Sequence, residues 1–455
     1  MIRHGDCQRY RRIARITAVL TALIALAMPA TASAVDPWPM DGQNSFNQRY
    51  SANGGPAADR ATKDLVKVWQ HNTDSAVLGT PIIADNGAVY FGTETGTVYA
   101  LAQGNGRVVW ARWTGGADAI STSLLKVGNT IYAAASPPAS GSRGYPYLWA
   151  LDATTGDVKW KAQLDGQQGA DACSSPAYSA SRNEILVGTG DCSAEDSNTT
   201  SRVKGGVTAL DAATGAFRWQ TRTASVGNGA TVRGTPLISD GANEAWVATG
   251  HAYTVTEPNS DSILQLDLDT GAILRTFQAH KGDVSNNSQL DLQTRLGFTS
   301  PLVAADYRLG VGAEDGNFYI IDAFTMKLLS KTLLAPDTGP AGIASSASFD
   351  QLGKQFVGVT ETPSLYFGLA ADGSSKFLFP GTDVLHKGPV SITQWGIWST
   401  DQAGFLDVQY RPDGHILGRV QLAAPSIGGI SFANRMAYVA VGTPGATSGA
   451  VEAFK

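Results

Sequence analysis

Two cysteines, a carboxylate and an imidazole stand where chemistry could occur. Cys173 and Cys192 flank two short strand-like stretches around Ser181-Arg182-Asn183-Glu184, and the midpoint between them falls in that turn. Residues so placed face each other across a hairpin at a span that a disulfide can close. In an oxidising compartment closure contributes about 3 kcal/mol. Two cysteines alone make a poor metal site. Asp191 follows Val187-Gly188-Thr189-Gly190 as His251 follows Val247-Ala248-Thr249-Gly250, which puts both at equivalent places on successive units and on one face. There a carboxylate can cap the loop after a strand, and an imidazole can hydrogen-bond at the surface or serve as ligand or base. Other chemistries lack their motifs. Gly104-Asn105-Gly106 and similar stretches are hairpin punctuation, with no Gly-x-x-x-x-Gly-Lys-Ser/Thr, and no acidic pair stands out for glycoside hydrolysis.

A repeat carries these residues. Ala150-Leu151-Asp152-Ala153-Thr154-Thr155-Gly156 leads to Trp160, and Ala209-Leu210-Asp211-Ala212-Ala213-Thr214-Gly215 leads to Trp219. Looser copies run from Ala100-Leu101 to Trp110, from Gln265-Leu266-Asp267 to Arg275, from Ile320-Ile321-Asp322 to Leu329, and through Gly368-Leu369-Ala370. Their leucine-type positions lie 48 to 59 residues apart, a period of propellers and solenoids. In each unit an alternating strand delivers an Asp that caps a turn, Gly takes positive φ, and another strand runs out to the Trp. Two strand signals upstream, as in Thr80-Pro81-Ile82-Ile83-Ala84 and Ala88-Val89-Tyr90-Phe91-Gly92, complete a four-stranded blade. Helical periodicity is nowhere sustained.

The expected fold class is therefore all-β, an eight-bladed β-propeller sealed by tryptophan docking. Blades start near Leu78, Ala117, Ala170, Val232, Leu296, Ala341, Ser391 and Ala424. Seven blades are the alternative if one decayed unit is an insertion. The last unit shows only three strand signals, and Asp64-Leu65-Val66-Lys67-Val68-Trp69 has the outer-strand pattern, so N- and C-terminal strands should close the ring.

The 455 residues include 51 Gly and only 16% charged residues, with 43% hydrophobic, enough for a sizeable core. A basic start (Arg3, Arg9, Arg11, Arg12, Arg15) precedes an apolar run from Ile16 to Met28, and Ala32-Ser33-Ala34 supplies a cleavage pattern. Residues 1–34 read as a secretory signal and 35–455 as one propeller domain, secreted or otherwise extracytoplasmic. The apolar run is too short to span a bilayer, and no later segment is long enough. Removing five arginines and one aspartate deepens the charge from −5 to −9, which argues against a nucleic-acid partner.

The Ala-Leu-Asp-x-x-Thr-Gly-x-x-x-Trp unit resembles that of the eight-bladed quinoprotein dehydrogenases, among them methanol, other alcohol and polyvinyl alcohol dehydrogenases using pyrroloquinoline quinone (PQQ). Non-enzymatic propellers of the outer-membrane assembly-factor type share it. Trp38 with Asp41-Gly42 and Asn47-Gln48-Arg49-Tyr50-Ser51 is similar to the dehydrogenases' N-terminal segment, and Ser175-Pro176-Ala177-Tyr178 with 187–191 to their third-blade signature. The resemblance implies PQQ beside a divalent cation, usually Ca²⁺, and an alcohol whose proton goes to a carboxylate while its carbon delivers hydride to the quinone. Asp191 falls at the family's metal-binding Asn and would help hold the quinone and cation. His251 is its neighbour in cofactor binding. Asp291, ahead of Gly297-Phe298-Thr299-Ser300-Pro301, would be base and metal ligand.

Departures accompany this likeness. No adjacent cysteine pair exists, Ser175 replaces the Trp under the quinone, Pro137-Pro138-Ala139-Ser140-Gly141-Ser142 lacks the metal-binding Glu, and Glu314 stands near a cationic position. No Cys-x-x-Cys-His attaches a haem, so an electron acceptor would be a separate molecule. Two functions follow: a PQQ/Ca²⁺-dependent alcohol dehydrogenase with an altered site, acting on a small alcohol or polymer, or a non-catalytic scaffold for a protein, polymer or cell-envelope partner. Gln394-Trp395-Gly396-Ile397-Trp398 offers two aromatics for the channel mouth or for packing between blades. Export predicts a mature N-terminus at Val35. Mass spectrometry of protein recovered outside the cytoplasm should find that terminus, and a retained Met1 would refute it.

Overall fold

Blades 2 to 5 are each built around an aspartate turn. Asp152, Asp211, Asp267 and Asp322 each accept two backbone N–H groups of the turn that follows, at 2.7–3.2 Å. The turn glycine then takes a φ of +75° at Gly156, +72° at Gly215 and +70° at Gly271. The same glycines receive the preceding blade's tryptophan. An added Cβ would lie 2.7 Å from the Trp110 ring at Gly156 and 2.7 Å from Trp160 at Gly215, and Gly271 meets Trp219 in the same way. Trp110 donates its indole N–H to the carbonyl of Ala153 at 3.0 Å, Trp219 to Leu268 at 2.8 Å, and Trp69 to Gln103 at 2.9 Å. Thus the repeat is both a turn and a socket.

The computed structural model describes residues 37–455 apart from 53–54, 57–64, 116–118, 138–143, 193–202, 226–228, 251–257, 280–297, 299–301, 336–342, 344–345, 362–363 and 382–384. Eight antiparallel sheets follow one another: blade 1 (82–113), blade 2 (125–163), blade 3 (171–222), blade 4 (237–278), blade 5 (303–333), blade 6 (348–380), blade 7 (391–421) and blade 8 (430–454). Blade 8 takes its outer strand from the other end of the chain. Lys67–Thr73 pairs antiparallel with Gly449–Phe454, in register Thr73↔Gly449, so the expected closure and the count of eight both hold. Blades 3 and 7 begin at Asp171 and Ser391, as the sequence suggested, whereas the other inner strands begin a few residues later; in blades 2, 5 and 6 the opening loop clamps the previous blade, with Ile120 N–H donating to Thr93 O at 3.1 Å, Phe298 to Thr249 at 3.2 Å and Ile343 to Ala313 at 3.0 Å. Apolar clusters fill the gaps between neighbouring blades.

The segment ahead of blade 8's outer strand fills the axis. Trp38 exchanges both backbone hydrogen bonds with Ile83 of blade 1. Pro39 O then accepts from Lys126 of blade 2, Ser45 O from Ile238 of blade 4, Phe46 O from Ala304 of blade 5, Gln48 O from Phe349 of blade 6 and Arg49 O from Ile392 of blade 7. Tyr50–Ser51 finishes parallel to the inner strand of blade 7. The chain thus circles the inner strands in blade order. Gln43, Asn47 and Arg49 take left-handed φ of 72°, 52° and 47° to make this path, a conformation costly for residues with a Cβ.

Asp41 is the hub of this plug. Its Oδ1 accepts from Thr80 Oγ1 at 3.0 Å and Ser123 Oγ at 2.7 Å, and its Oδ2 from Thr235 Oγ1 at 3.0 Å and Arg49 Nη2 at 2.5 Å. One carboxylate therefore joins blades 1, 2 and 4 to the plug. The network continues, since Ser123 Oγ accepts from Thr80 N at 2.8 Å and Ser175 Oγ, in blade 3, accepts from Ser123 N at 3.0 Å. Arg49 is 1% exposed. Burial alone would raise the Asp41 pKa, but the Arg49 charge and the hydrogen bonds from Arg49, Ser123 and Thr80 hold it below the ordinary carboxylate value.

Two outcomes test this architecture. Gly156→Ala should destabilise by more than the roughly 1 kcal/mol of an ordinary glycine substitution, because it adds left-handed strain to a clash with Trp110; denaturant unfolding measures it. Asp41→Asn leaves Arg49 buried without its counter-charge and should cost about 3–5 kcal/mol. Because the folded Asp41 pKa is depressed, its contribution is complete above the unfolded value of about 3.9 and is lost as pH falls through the lower folded value. Unfolding curves should therefore show wild type losing stability over that acid limb while Asp41→Asn shows a flatter limb.

Candidate functional site

The hub lies toward one end of the channel, and antiparallel pairing identifies which end. Thr80, Ser123, Ser175 and Thr235 each stand two residues before an inner strand, and the second strand of each blade ends at that same side. Thr93-Glu94, Gly190-Asp191, Thr249-Gly250 and Ala313-Glu314 occupy those strand ends in blades 1, 3, 4 and 5. The mouth above the hub is therefore rimmed by carboxylates.

Asp191 is partly buried at this rim, and its backbone N–H points at Thr231 Oγ1 at 3.4 Å. The carbonyl of Thr231 accepts from Gly250 N at 2.9 Å, so one residue ties the strand ends of blades 3 and 4 together. Asp191 and the backbone leading to His251 are thus neighbours at equivalent positions, as the repeat implied. His251 and Asp291 themselves lie outside the described residues. Beside Asp191, Arg233 donates from Nη2 to the carbonyl of Cys192 at 2.7 Å, which brings a cation to the rim. Burial raises the pKa of Glu94 although Gly445 N donates to it at 2.9 Å.

Cys173 and Cys192 form a disulfide with Cα atoms 5.7 Å apart. Their expected position directly opposite each other is corrected. Cys173 N–H donates to Gly188 O, because the inner strand of blade 3 is split into Asp171–Ala172 and Ala177–Ser179, whose pairings with Glu184–Gly190 differ in register by two residues. The bridge therefore staples the rim next to Asp191 and does not cross the middle of a ladder.

Ser175, where the dehydrogenase resemblance implied an indole, is a buried hydroxyl that accepts from Ser123 N. A planar quinone finds no aromatic face at this residue. Glu314 sits partly exposed beside Asp315, whose Oδ2 accepts from the Tyr319 hydroxyl at 2.6 Å, so this stretch of the rim is acidic. The hydroxyl of Ser175 and the negative charge of Glu314 do not fit the quinone. Of the two watched aromatics, Trp398 is buried against Phe432 and donates to Thr393 Oγ1 at 3.2 Å, and Trp395 stacks on Tyr410, so packing absorbs both.

Sequence reasoning passed over the hub's hydroxyl donors Thr80, Ser123 and Thr235. For two of them a signal was present as Gly79-Thr80-Pro81 and Gly234-Thr235-Pro236, a hydroxyl before a proline at the start of a blade. Among the described residues, no helix is long and apolar enough to cross a membrane.

Comparison with known proteins agrees with this architecture. Polyvinylalcohol dehydrogenase of a Pseudomonas species is 25% identical over 282 residues, 56% of this chain and 42% of the relative. The chain thus spans less than half the length of that curated relative. Quinohemoprotein alcohol dehydrogenase from Comamonas testosteroni superposes with a TM-score of 0.74 at 18% identity, covering 95% of this chain and 82% of that one. BamB from Moraxella catarrhalis superposes at 0.58 with 17% identity, covering 86% and 98%. At these identities the structures show a shared fold. A family model matches residues 57–325, more than half of the chain, and the chain belongs to that PQQ-repeat propeller family, described as outer membrane protein assembly factor BamB.

Proposed function

We propose that the chain is an exported, non-catalytic propeller that binds a hydroxyl-bearing polymer at the Asp191 mouth of its channel without a stacked quinone. The observation that carries this reading is Ser175. The residue that would have to be an indole is a hydroxyl tied into the hub that joins the first four blades. Glu94, Asp191 and Glu314 give the rim acceptors for hydroxyl donors, and Arg233 adds a donor. Likeness to polyvinylalcohol dehydrogenase over 56% of the chain supports a polymer of alcohol units as the ligand class. Export rests on the basic, apolar and Ala-Ser-Ala succession of residues 1–34 and on a disulfide that an oxidising compartment would maintain.

A second reading is favoured by the same relative and by Asp191 itself. In it the chain is a PQQ- and Ca²⁺-dependent alcohol dehydrogenase whose altered site uses Asp191 toward the cation, His251 beside the cofactor and Asp291 as base and second metal ligand. A propeller partner of the assembly-factor kind, a protein of the cell envelope, would use the same face.

Calorimetric titration of the mature protein (Val35–Lys455) with PQQ in Ca²⁺ separates these readings. The expected result is no binding to protein shown to be folded, together with saturable binding of poly(vinyl alcohol) that Asp191→Ala weakens. Tight one-to-one PQQ binding that depends on Ca²⁺ and on Asp191 would overturn the proposal in favour of the dehydrogenase.

A further inference from the structure

The seam between blades 6 and 7 joins an apolar cluster to a buried polar group. Val357, Val359, Ile392 and Ile397 pack together there, and His386, Ser399, Asp401 and Asp407 are buried with Tyr366 beside them. Register explains the grouping. Ser399 pairs with Asp407 and Asp407 with Arg419, so these side chains share the blade face turned toward Tyr366, while Trp398, Leu406 and Val408 pack on the opposite side with blade 8. The Tyr366 hydroxyl meets Ser399 Oγ at 2.5 Å, which fixes blade 6 against this face.

Three of these groups converge. One ligand atom each from His386, Asp401 and Asp407 lies within 4.8 Å of the others, and among the described residues no other trio of His, Cys, Asp or Glu does so. Ligands about 2.1 Å from a cation stand roughly 3.4 Å apart along a tetrahedral edge, so the trio needs only a small contraction. The imidazole is oriented: His386 Nδ1 lies 3.1 Å from the carbonyl of Thr400, and donation there directs the lone pair of the other ring nitrogen elsewhere. Asp401 is held by Phe405 N, which donates to Oδ1 at 2.8 Å, and by Arg419 Nη2 at 3.1 Å from Oδ2.

Asp407 is the group this arrangement leaves unexplained. Its residue is 2% exposed, and both carboxylate oxygens lack a hydrogen-bond partner. Arg419 Nη1 approaches to 3.6 Å, but that guanidinium is shared with Asp401 and lies over the Phe405 ring at 4.1 Å. Burial pushes the Asp407 carboxyl up to about 6 in spite of Arg419. Two carboxylates against one guanidinium leave a net negative charge in a closed seam, and a buried acceptor with no donor is costly.

We propose that His386, Asp401 and Asp407 form a divalent transition-metal site buried between blades 6 and 7. One imidazole nitrogen with carboxylate oxygens suits Zn²⁺ or Mn²⁺ better than Ca²⁺, which prefers a larger all-oxygen shell. Asp407 supplies the otherwise unmatched charge, Asp401 is oriented by Phe405 N and Arg419, and the ion takes the place of the missing donor. Because the groups are enclosed, the metal enters as the blades close and so stabilises the ring. The site is independent of the Asp191 mouth and of what that mouth binds.

The test uses the full mature protein, stripped with chelator and titrated with ZnCl₂ and, separately, MnCl₂, with bound metal read by elemental analysis. One ion per chain is expected, with a rise in melting temperature. Asp407→Asn and His386→Gln should each weaken binding by more than about 100-fold, since even outer-shell changes cost 10–100-fold. Asp191→Ala should leave it unchanged. Co²⁺ loaded into the unmodified chain should show an imidazole nitrogen ligand by X-ray absorption, a readout that does not depend on the variants folding. Absence of stoichiometric metal in folded protein, binding unaffected by Asp407→Asn, or a purely oxygen shell around Co²⁺ would overturn the assignment.

Discussion

The structure depends on one buried carboxylate. A propeller of eight wedges must hold its axis together where the inner strands crowd, and Asp41 does so by accepting from hydroxyls of three blades and from Arg49. Burying an ion pair costs several kcal/mol per charge before the partners repay it, so such a pair is tolerated only where its lone pairs are filled. Each Asp41 oxygen has two donors. The left-handed backbone at Arg49 adds strain that the surrounding hydrogen bonds over-determine. Charge, strain and ring closure are consequently one problem with one solution, and removing the carboxylate loosens the blades and the plug together.

The blades were legible in the sequence because their determinants are local and repeat. Asp152 and Thr154 are two residues apart, and so the turn they make is written in a short motif. Trp110 and Gly156 are further apart, but the period brings them into register. The closure of Lys67–Thr73 on Gly449–Phe454 was legible for a similar reason: one end lacked a strand whose pattern the other end possessed. The hub was not legible in this way. Asp41 and Thr235 are 194 residues apart, and nothing short-range marks a carboxylate that gathers hydroxyls from several blades. Disulfide pairing was readable from two cysteines around a turn, whereas its offset depends on the break between Ala172 and Ala177, which no periodicity announces.

Where the motif decays, another packing solution replaces it. Blade 6 has no tryptophan on its outer strand, and Phe379 seats on Gly414 of blade 7 as Trp110 seats on Gly156. A phenyl ring lacks the indole N–H, so the bond that tethers Trp110 to the next blade has no counterpart from that ring. Polar contacts, including Tyr366 to Ser399, join the apolar packing of this seam. Polar seams specify a unique docking only when every member is satisfied, and Asp407 is the member whose satisfaction requires something more.

The hub also constrains what the mouth above it can become. Ser175 Oγ holds Ser123 N, and Ser123 Oγ holds both Thr80 N and Asp41, so the floor of the mouth and the joint between the first three blades are the same atoms. An indole at position 175 would remove an acceptor from a buried N–H and demand volume where Ser175 is nearly enclosed. An aromatic floor and this joint between the first three blades therefore exclude each other at position 175. At the rim the strand ends carry Glu94, Asp191 and Glu314, and the disulfide fixes the backbone beside Asp191. In the proposed binding role, these acceptors would be held in place by the same hydrogen bonds that close the ring, so ligand binding would require little reorganisation.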